Sequence, residues 1–376
     1  MLRVAFVDQT GSESGGAQES FALLLRHLPE WIEPEVILFH EGAFAHRLRA
    51  AGLPVGIFTI PSAIDAGKRE RVSLRGIASV PASVLELSGR LEELRVNVVY
   101  THTVKAHFLG APAARLAGIP CVMHFRDILE GVASMALRTV ASHCSKERIA
   151  ISRAVADTYR LTSTHVILNP VDPSASAAQG DRARAAARLE LPPTQAPTIG
   201  IVGRINRWKG QDRFLRIARR VLDRLDARFL IVGSAIFRDH DFATNLLHSA
   251  RDLGLGDTVR FVPWLHDVND AYALLDLNCI CSQREPFGRT CIEAAAHGVP
   301  TVCFADAGAA EIIENGLNGI VVGAGDEERF ARAICELLRS PQRLSVMKQN
   351  ARKLVDLCLP ARHASAVAGV LAQAAA

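Results

Sequence analysis

Two glutamates eight residues apart, Glu285 and Glu293, stand in the run SQREPFGRTCIEAAAHGVPTV at 282–302. Ionised carboxylates are strong acceptors for O–H donors, so a pair of this kind suits a polyhydroxylated ligand. Between them the pattern reads as a polar turn, then a helix opening near Gly288. The N–H groups of Phe287, Gly288, Arg289 and Thr290 at that opening can hold a phosphate or a developing negative charge. Glutamates at such spacing are common; the context, with GVP at 298–300 and ADAGAAEI at 305–312, singles these out. A second run, GIVGRINRWKG at 200–210, is an apolar strand ending in a turn that carries Arg204 and Lys209. Arginine can fork onto phosphate oxygens and lysine supplies a compact charge, although solvated surface cations are the ordinary alternative. The chain has 37 arginines and only 6 lysines, so a lysine inside a motif is less easily a chance occurrence.

Weaker signals surround these. SESGGAQ at 12–18 follows the first strand and opens the first helix, where Gly15 and Gly16 would let backbone approach an anion. It lacks the spacing of a dinucleotide fingerprint and any Walker lysine, and reads equally as a tight turn. Among thirteen histidines, His102, His107 and His124 draw notice, but no spacing matches a zinc motif. The segment KRERVSLR at 68–75 carries four cations and one anion; a solvated loop is the ordinary reading, and contact with anionic lipid or a pyrophosphate is the alternative.

The elements that must position these residues are legible as an alternation. Apolar runs at 2–8, 35–39, 55–60, 97–101, 120–125, 148–152 and 165–168 are followed by others at 198–202, 228–232, 258–262, 277–281, 299–304 and 319–322. Segments between them, such as 17–28, 105–117, 211–225 and 329–338, carry apolar residues at helical spacing. This predicts an α/β fold of parallel sheets covered by helices, and thirteen strands imply two Rossmann-like doubly wound domains facing across a cleft. Turn-rich PVDPSASAAQGD at 170–181 marks the boundary. The expected division is 1–172, 180–358 and a final helix at 361–376. Of the 376 residues, 49% are hydrophobic and 22% charged, which excludes a disordered chain or a disulfide-stapled miniprotein. Net charge is +4, spread evenly over both halves, so no nucleic-acid partner is expected. Eight cysteines without a Cys-x-x-Cys pair read as buried reduced thiols. With no signal-like start and no long uninterrupted apolar stretch, a cytoplasmic protein is expected, with room for peripheral contact at the inner membrane face.

Glu-x7-Glu enclosing Phe-Gly, preceded by Gly-Arg-x4-Lys-Gly, resembles family 4 of the retaining glycosyltransferases, which have the GT-B fold. The likeness is firm over about 199–325. In the N-terminal half it rests on Gly15-Gly16, Thr101-His102, AARLAGIP at 113–120 and His124, with NPVD at 169–172 at the junction. The resemblance implies that Arg204 and Lys209 bind the diphosphate of a nucleotide-sugar donor and Glu293 the ribose hydroxyls. It implies that Glu285, with the N–H groups of Phe287 and Gly288, holds the donor sugar. Gly16 would reach the diphosphate, His124 would lie near the anomeric carbon, and Val262 and Trp264 near the base. It further implies that the last helix crosses back to the N-terminal domain. The sequence departs from the family pattern at Ala309-Ala310, Pro170 and Arg289; Arg289 adds a cation near the diphosphate or acceptor.

The implied reaction is transfer of a hexosyl or N-acetylhexosaminyl group with retention of configuration. Arg204, Lys209 and the helix start suit the charge developing on the leaving phosphate, and no Asp-x-Asp pair stands at a strand end. No metal and no cofactor are therefore expected, and the leaving phosphate, not a protein base, takes the acceptor proton. The expected acceptor is a lipid-linked or polysaccharide intermediate of the cell envelope. Two other readings stay open: a soluble small-molecule acceptor such as an aminocyclitol, thiol precursor or aglycone, and a non-catalytic nucleotide-sugar-binding regulator or scaffold.

Overall fold

The computed structural model describes residues 1–10, 15–65, 74–161, 163–172, 182–235, 240–265 and 268–376. Ser12 to Ser14 of the glycine run, 68–73 of the basic segment and 173–181 of the boundary segment lie outside the described residues. The chain divides into two compact units, one comprising Met1–Pro170 and Pro360–Ala376, the other Val171–Leu359.

The first unit runs β1 (Leu2–Asp8), α1 (Gly16–Arg26), β2 (Ile32–Leu38), α2 (Ala43–Ala50), β3 (Val55–Ile57), α3 (Ser62–Asp65), α4 (Leu74–Glu93) and β4 (Val98–Thr101). It continues with α5 (Val104–Leu116), β5 (Cys121–Phe125), α6 (Gly131–Cys144), β6 (Glu147–Ala150), α7 (Arg153–Tyr159) and β7 (Thr164–Val166). Its seven strands are parallel in the order β3-β2-β1-β4-β5-β6-β7.

The second unit runs α8 (Arg182–Arg188), β8 (Thr198–Val202), α9 (Gln211–Leu222), β9 (Arg228–Val232), α10 (His240–Asp252), β10 (Val259–Val262), α11 (Asn269–Leu274) and β11 (Leu277–Ile280). Then follow α12 (Arg289–Ala296), β12 (Thr301–Phe304), β13 (Gly319–Val322), α13 (Glu327–Leu338) and α14 (Pro341–Arg352). Six parallel strands stand in the order β10-β9-β8-β11-β12-β13. In each sheet the order reverses beside the unit's first strand, at β1/β4 and at β8/β11. Open parallel sheets place their ligand crevices outside the carboxyl ends of strands at such a reversal.

Parallel strands covered on both faces are apolar without alternation, and all five residues of β8 and of β9 are buried. The helices alternate instead: α9 buries Phe214, Leu215, Ile217, Ala218 and Val221 and leaves Arg216 exposed to pair with Glu327 of α13. α15 (Pro360–Ala375) closes the chain and belongs to the first unit. It buries Ala364, Val367, Ala368 and Leu371 in the cluster that contains Phe6, Phe21 and Tyr100. The stretch Pro341–Ala375 has the length and hydropathy to cross a membrane, but 56% of its most apolar window is buried in the protein, as in a core helix. All eight cysteines are free, and seven are buried.

Candidate active site

The turn after β8 is built to meet the end of β11. Gly203 leaves the strand at φ 141°, and Asn206 caps a 3₁₀ turn over Arg207–Lys209, its Oδ1 accepting from Lys209 N at 3.1 Å. Gln211 Nε2 donates to the Arg204 carbonyl at 2.9 Å, fixing the turn from below. Gly210 is left-handed at φ 75°, and a Cβ there would stand 2.2 Å from the Cys281 carbonyl oxygen. Only glycine permits this approach. Gln283 N then donates to Trp208 O at 3.0 Å, so the β8 turn and the β11 loop become one surface.

Lys209 and Glu285, 76 residues apart, meet on that surface. Lys209 Nζ lies 3.0 and 2.7 Å from the two Glu285 oxygens. Ser282 Oγ donates to Oε2 of the same carboxylate at 2.7 Å, and the ammonium sits 4.3 Å from the Trp208 ring centroid. The side chains are 19% and 8% exposed, so the pair is partly desolvated, with three donor bonds on one carboxylate. Arg204 is exposed on the same turn and makes no ion pair with any described residue.

Gly288, left-handed at φ 86°, starts α12 without a side-chain cap. A larger residue there would strike Ala309 Cβ at 2.9 Å, and a Cβ on Gly308 would strike the Pro286 carbonyl at 2.6 Å. These two contacts, with the Gly308 N bond to Glu285 O at 2.7 Å, press the Glu285 loop onto the segment after β12. Phe287 is buried beneath, while Arg289 and Thr290 are half-buried on the first turn. The first turn of α12 presents N–H groups at its positive end, where an anion is stabilised.

One turn along, Glu293 accepts from Arg289 Nε at 3.3 Å and from the hydroxyl of Tyr272 at 3.0 Å. Tyr272, on α11, is fully buried, and burial beside this carboxylate holds its phenol well above the ordinary value. Its ring stacks on His297, whose Nδ1 bonds to the Glu293 carbonyl at 3.0 Å. Val262 is packed in the apolar cluster with Val202, Leu230 and Val232, whereas Trp264, two residues on, is exposed. Arg204, Lys209, Glu285, Phe287, Gly288, Arg289, Thr290 and Glu293 thus all belong to two loops and one helix start at the β8/β11 reversal.

Gly16 and His124 belong to the first unit. Gly15 caps α1, its N–H bonded to Gln18 Oε1 at 3.0 Å, and Gly16 is the helix's first residue. At the β1/β4 reversal Asp8 and His102 form a buried pair, His102 Nδ1 donating to Asp8 Oδ2 at 2.7 Å. Burial pushes the Asp8 carboxyl up to about 6. His124, expected against the substrate, has no exposed surface: its Nδ1 meets the Tyr100 hydroxyl at 2.5 Å and its ring stacks on His363 of α15. Burial, with Arg126 nearby, keeps the His102 and His124 rings neutral, far below the usual imidazole range. Among the described residues no group of three or more His, Cys, Asp and Glu is placed to hold a metal ion.

Tyr272 and Ser282 escaped the sequence reading. Ser282 opens the run at 282–302, where a hydroxyl three residues before Glu285 is visible in the sequence. Tyr272 is 21 residues from Glu293 in an ordinary amphipathic stretch, and nothing in the sequence marks it.

Comparison with known proteins identifies the family and the fold. The family model "Glycosyl transferases group 1" matches residues 185–354, and "Glycosyltransferase Family 4" matches 14–175. D-inositol 3-phosphate glycosyltransferase 1 of Catenulispora acidiphila is 29% identical, over 77% of this chain and 73% of its own. The D-inositol 3-phosphate glycosyltransferase of Thermobispora bispora is 28% identical over 82% of both chains. Among solved structures, HepE of Anabaena in complex with UDP is 25% identical, with a TM-score of 0.83 over 99% of this chain and 100% of that one. The sucrose-phosphate synthase of Thermosynechococcus elongatus, 17% identical, shares the fold at a TM-score of 0.78 over 99% of both chains. The two parallel-sheet units are those of GT-B glycosyltransferases, the family models between them match most of the sequence, and the chain belongs to the family 4 glycosyltransferases.

Proposed function

We propose that this glycosyltransferase moves a hexosyl or N-acetylhexosaminyl group from a nucleotide-diphosphate sugar, with retention of configuration and without a metal ion. The observation that carries the reading is the Lys209–Glu285 pair, set at the β8/β11 reversal beside the uncapped start of α12. Breaking a sugar–diphosphate bond builds negative charge on the leaving phosphate. Arg204 and Lys209 supply fixed positive charge on one turn, and the α12 amides supply a dipole of the same sense. Glu285 holds Lys209 in place and offers its remaining acceptor capacity to hydroxyls of the donor sugar. Glu293 takes the ribose hydroxyls, and the half-buried Arg289 lies one turn before it. Trp264 together with the Val262 backbone borders the base.

Retention follows from front-face attack, in which the departing phosphate oxygen takes the proton of the acceptor hydroxyl and no side chain acts as base. The UDP bound by the HepE structure supports a uridine nucleotide. The acceptor we favour is a sugar-bearing, lipid-linked or polysaccharide intermediate of the envelope. A soluble phosphorylated polyol is the second reading, favoured by the names of the curated relatives.

The test is release of UDP from a panel of UDP-sugars in excess chelator, with each acceptor class supplied in turn and the product anomer read by NMR. Chelator-resistant transfer giving an axial product from an axial donor is expected. An inverted product, or activity restored only by a divalent cation, would overturn the mechanism. Glu293→Ala should raise the donor KM, and Glu285→Ala should lower kcat.

A further inference from the structure

We infer that Tyr272 is the positioning residue that sets this enzyme's preference for a ribonucleotide over a deoxyribonucleotide. The inference rests on the proposed role of Glu293 as the ribose-binding carboxylate. An ionised carboxylate has about four acceptor directions, two on each oxygen. In this fold the Tyr272 hydroxyl takes one on Oε2 at 3.0 Å and Arg289 Nε takes one on Oε1 at 3.3 Å. One direction on each oxygen is left, the arrangement a vicinal diol needs. The side chain is 23% exposed, so a ligand can reach it.

The tyrosine is suited to hold that carboxylate and nothing else. It is fully buried, so it does not touch the ligand. Burial keeps its phenol protonated, so it remains a donor at any working pH. Its ring is pinned against His297, centroids 5.5 Å apart, and His297 is in turn bonded to the Glu293 carbonyl at 3.0 Å. Backbone and side chain of Glu293 are therefore fixed by one aromatic pair. Without the hydroxyl, Oε2 loses its anchor and the carboxylate is free to turn away toward Arg289.

The experiment is calorimetric binding of UDP and 2′-deoxy-UDP to the full chain, in wild type, Tyr272→Phe, Glu293→Gln and the double variant. Losing one hydrogen bond to a carboxylate predicts that wild type binds UDP about tenfold more tightly than the deoxy compound. Tyr272→Phe keeps the ring and its stack, and should shrink that ratio to about threefold or less by weakening UDP, which loses two hydroxyl contacts, more than the deoxy compound, which loses one. In the Glu293→Gln background the same substitution should change nothing further, and there it removes no partner from a buried charge, so folding is safeguarded. A Tyr272→Phe ratio equal to wild type, or an equal further loss in the Gln background, would overturn the inference while leaving the donor site standing. Failure of wild type to bind UDP at all would instead remove the donor reading and this inference with it.

Discussion

Replacing Gly210 by alanine tests whether the close approach of the β8 turn to β11 creates the site. The added Cβ would lie 2.2 Å from the Cys281 carbonyl oxygen, whereas real Cβ contacts essentially never fall below 3.0 Å. The turn must therefore retreat by at least 0.8 Å, and since the obstacle is backbone, no side-chain rotation relieves it. The left-handed backbone at φ 75° adds about 1–2 kcal/mol for any residue with a Cβ. Overpacking adds about 1–3 kcal/mol, for a total of about 2–5 kcal/mol. In a unit of this size that lowers the melting temperature by roughly 5–15 °C. Lys209 adjoins Gly210 and moves with it, away from a carboxylate now 2.7 Å distant. A misplacement near 1 Å costs about 100-fold in turnover. Gly254→Ala is the control, because Gly254 is also left-handed at φ 68° but has nothing within 4 Å of its Cβ position. It should lose about 1–2 kcal/mol and no activity. The two variants would be compared by thermal melting and by UDP release. Equal destabilisation in both, or full activity in Gly210→Ala, would show that the close approach at Gly210 does not build the site.

Three further outcomes are expected. Lys209→Met strands Glu285, whose side chain is 8% exposed, and should destabilise the fold by about 3 kcal/mol in urea unfolding. Glu285→Gln in the same chain should recover about 1–3 kcal/mol of that loss, and strict additivity of the two variants would contradict the ion pair. In the first unit, burial holds His107 down to about 3 and His363 down to about 4, and keeps His102 and His124 far below their ordinary range. The unfolded chain takes up these protons near pH 6.5 and the folded chain does not, so stability should fall as pH drops from 7 toward 4, by about 3 kcal/mol through His363 alone. Equal unfolding midpoints at pH 7 and pH 5 would contradict this. Asp8 opposes the trend, because its folded value of about 6 lies above the unfolded one of 3.8 and favours the fold at low pH. Asp8→Asn should consequently steepen the acid loss, and a shallower pH profile in that variant would count against the assignment.

The alternation of strand and helix was legible because each sheet is covered on both faces, leaving strands such as β8 and β12 as unbroken apolar runs. Their ends were less so: β2 begins at Ile32, three residues before the expected start at 35, because Pro34 does not prevent it from pairing with β1. Strand order is invisible in a linear pattern, and with it the reversals that bring the Lys209 turn to the Glu285 loop. The motif residues of the second unit could be named because Glu285, Phe287, Gly288 and Glu293 with Arg204 and Lys209 together resemble a family pattern, whereas each taken singly is an ordinary loop residue. The salt bridge between them could not, since 76 residues separate its partners. Nor could the buried polar core of the first unit. Asp8, His102 and His124 lie in apolar strands or at their ends, and only packing shows that these groups face one another and not solvent.

Calorimetric titration of UDP, in chelator, into wild type and Arg204→Ala tests the central claim most directly, that the β8 and β11 loops form a diphosphate site needing no metal. Arg204 is exposed and unpaired among the described residues, so its removal should leave the fold intact. Wild type should bind in the micromolar range and the variant about tenfold or more weakly, the worth of a charge-assisted contact to phosphate. Equal affinity in the two proteins, or binding only when a divalent cation is added, would contradict it.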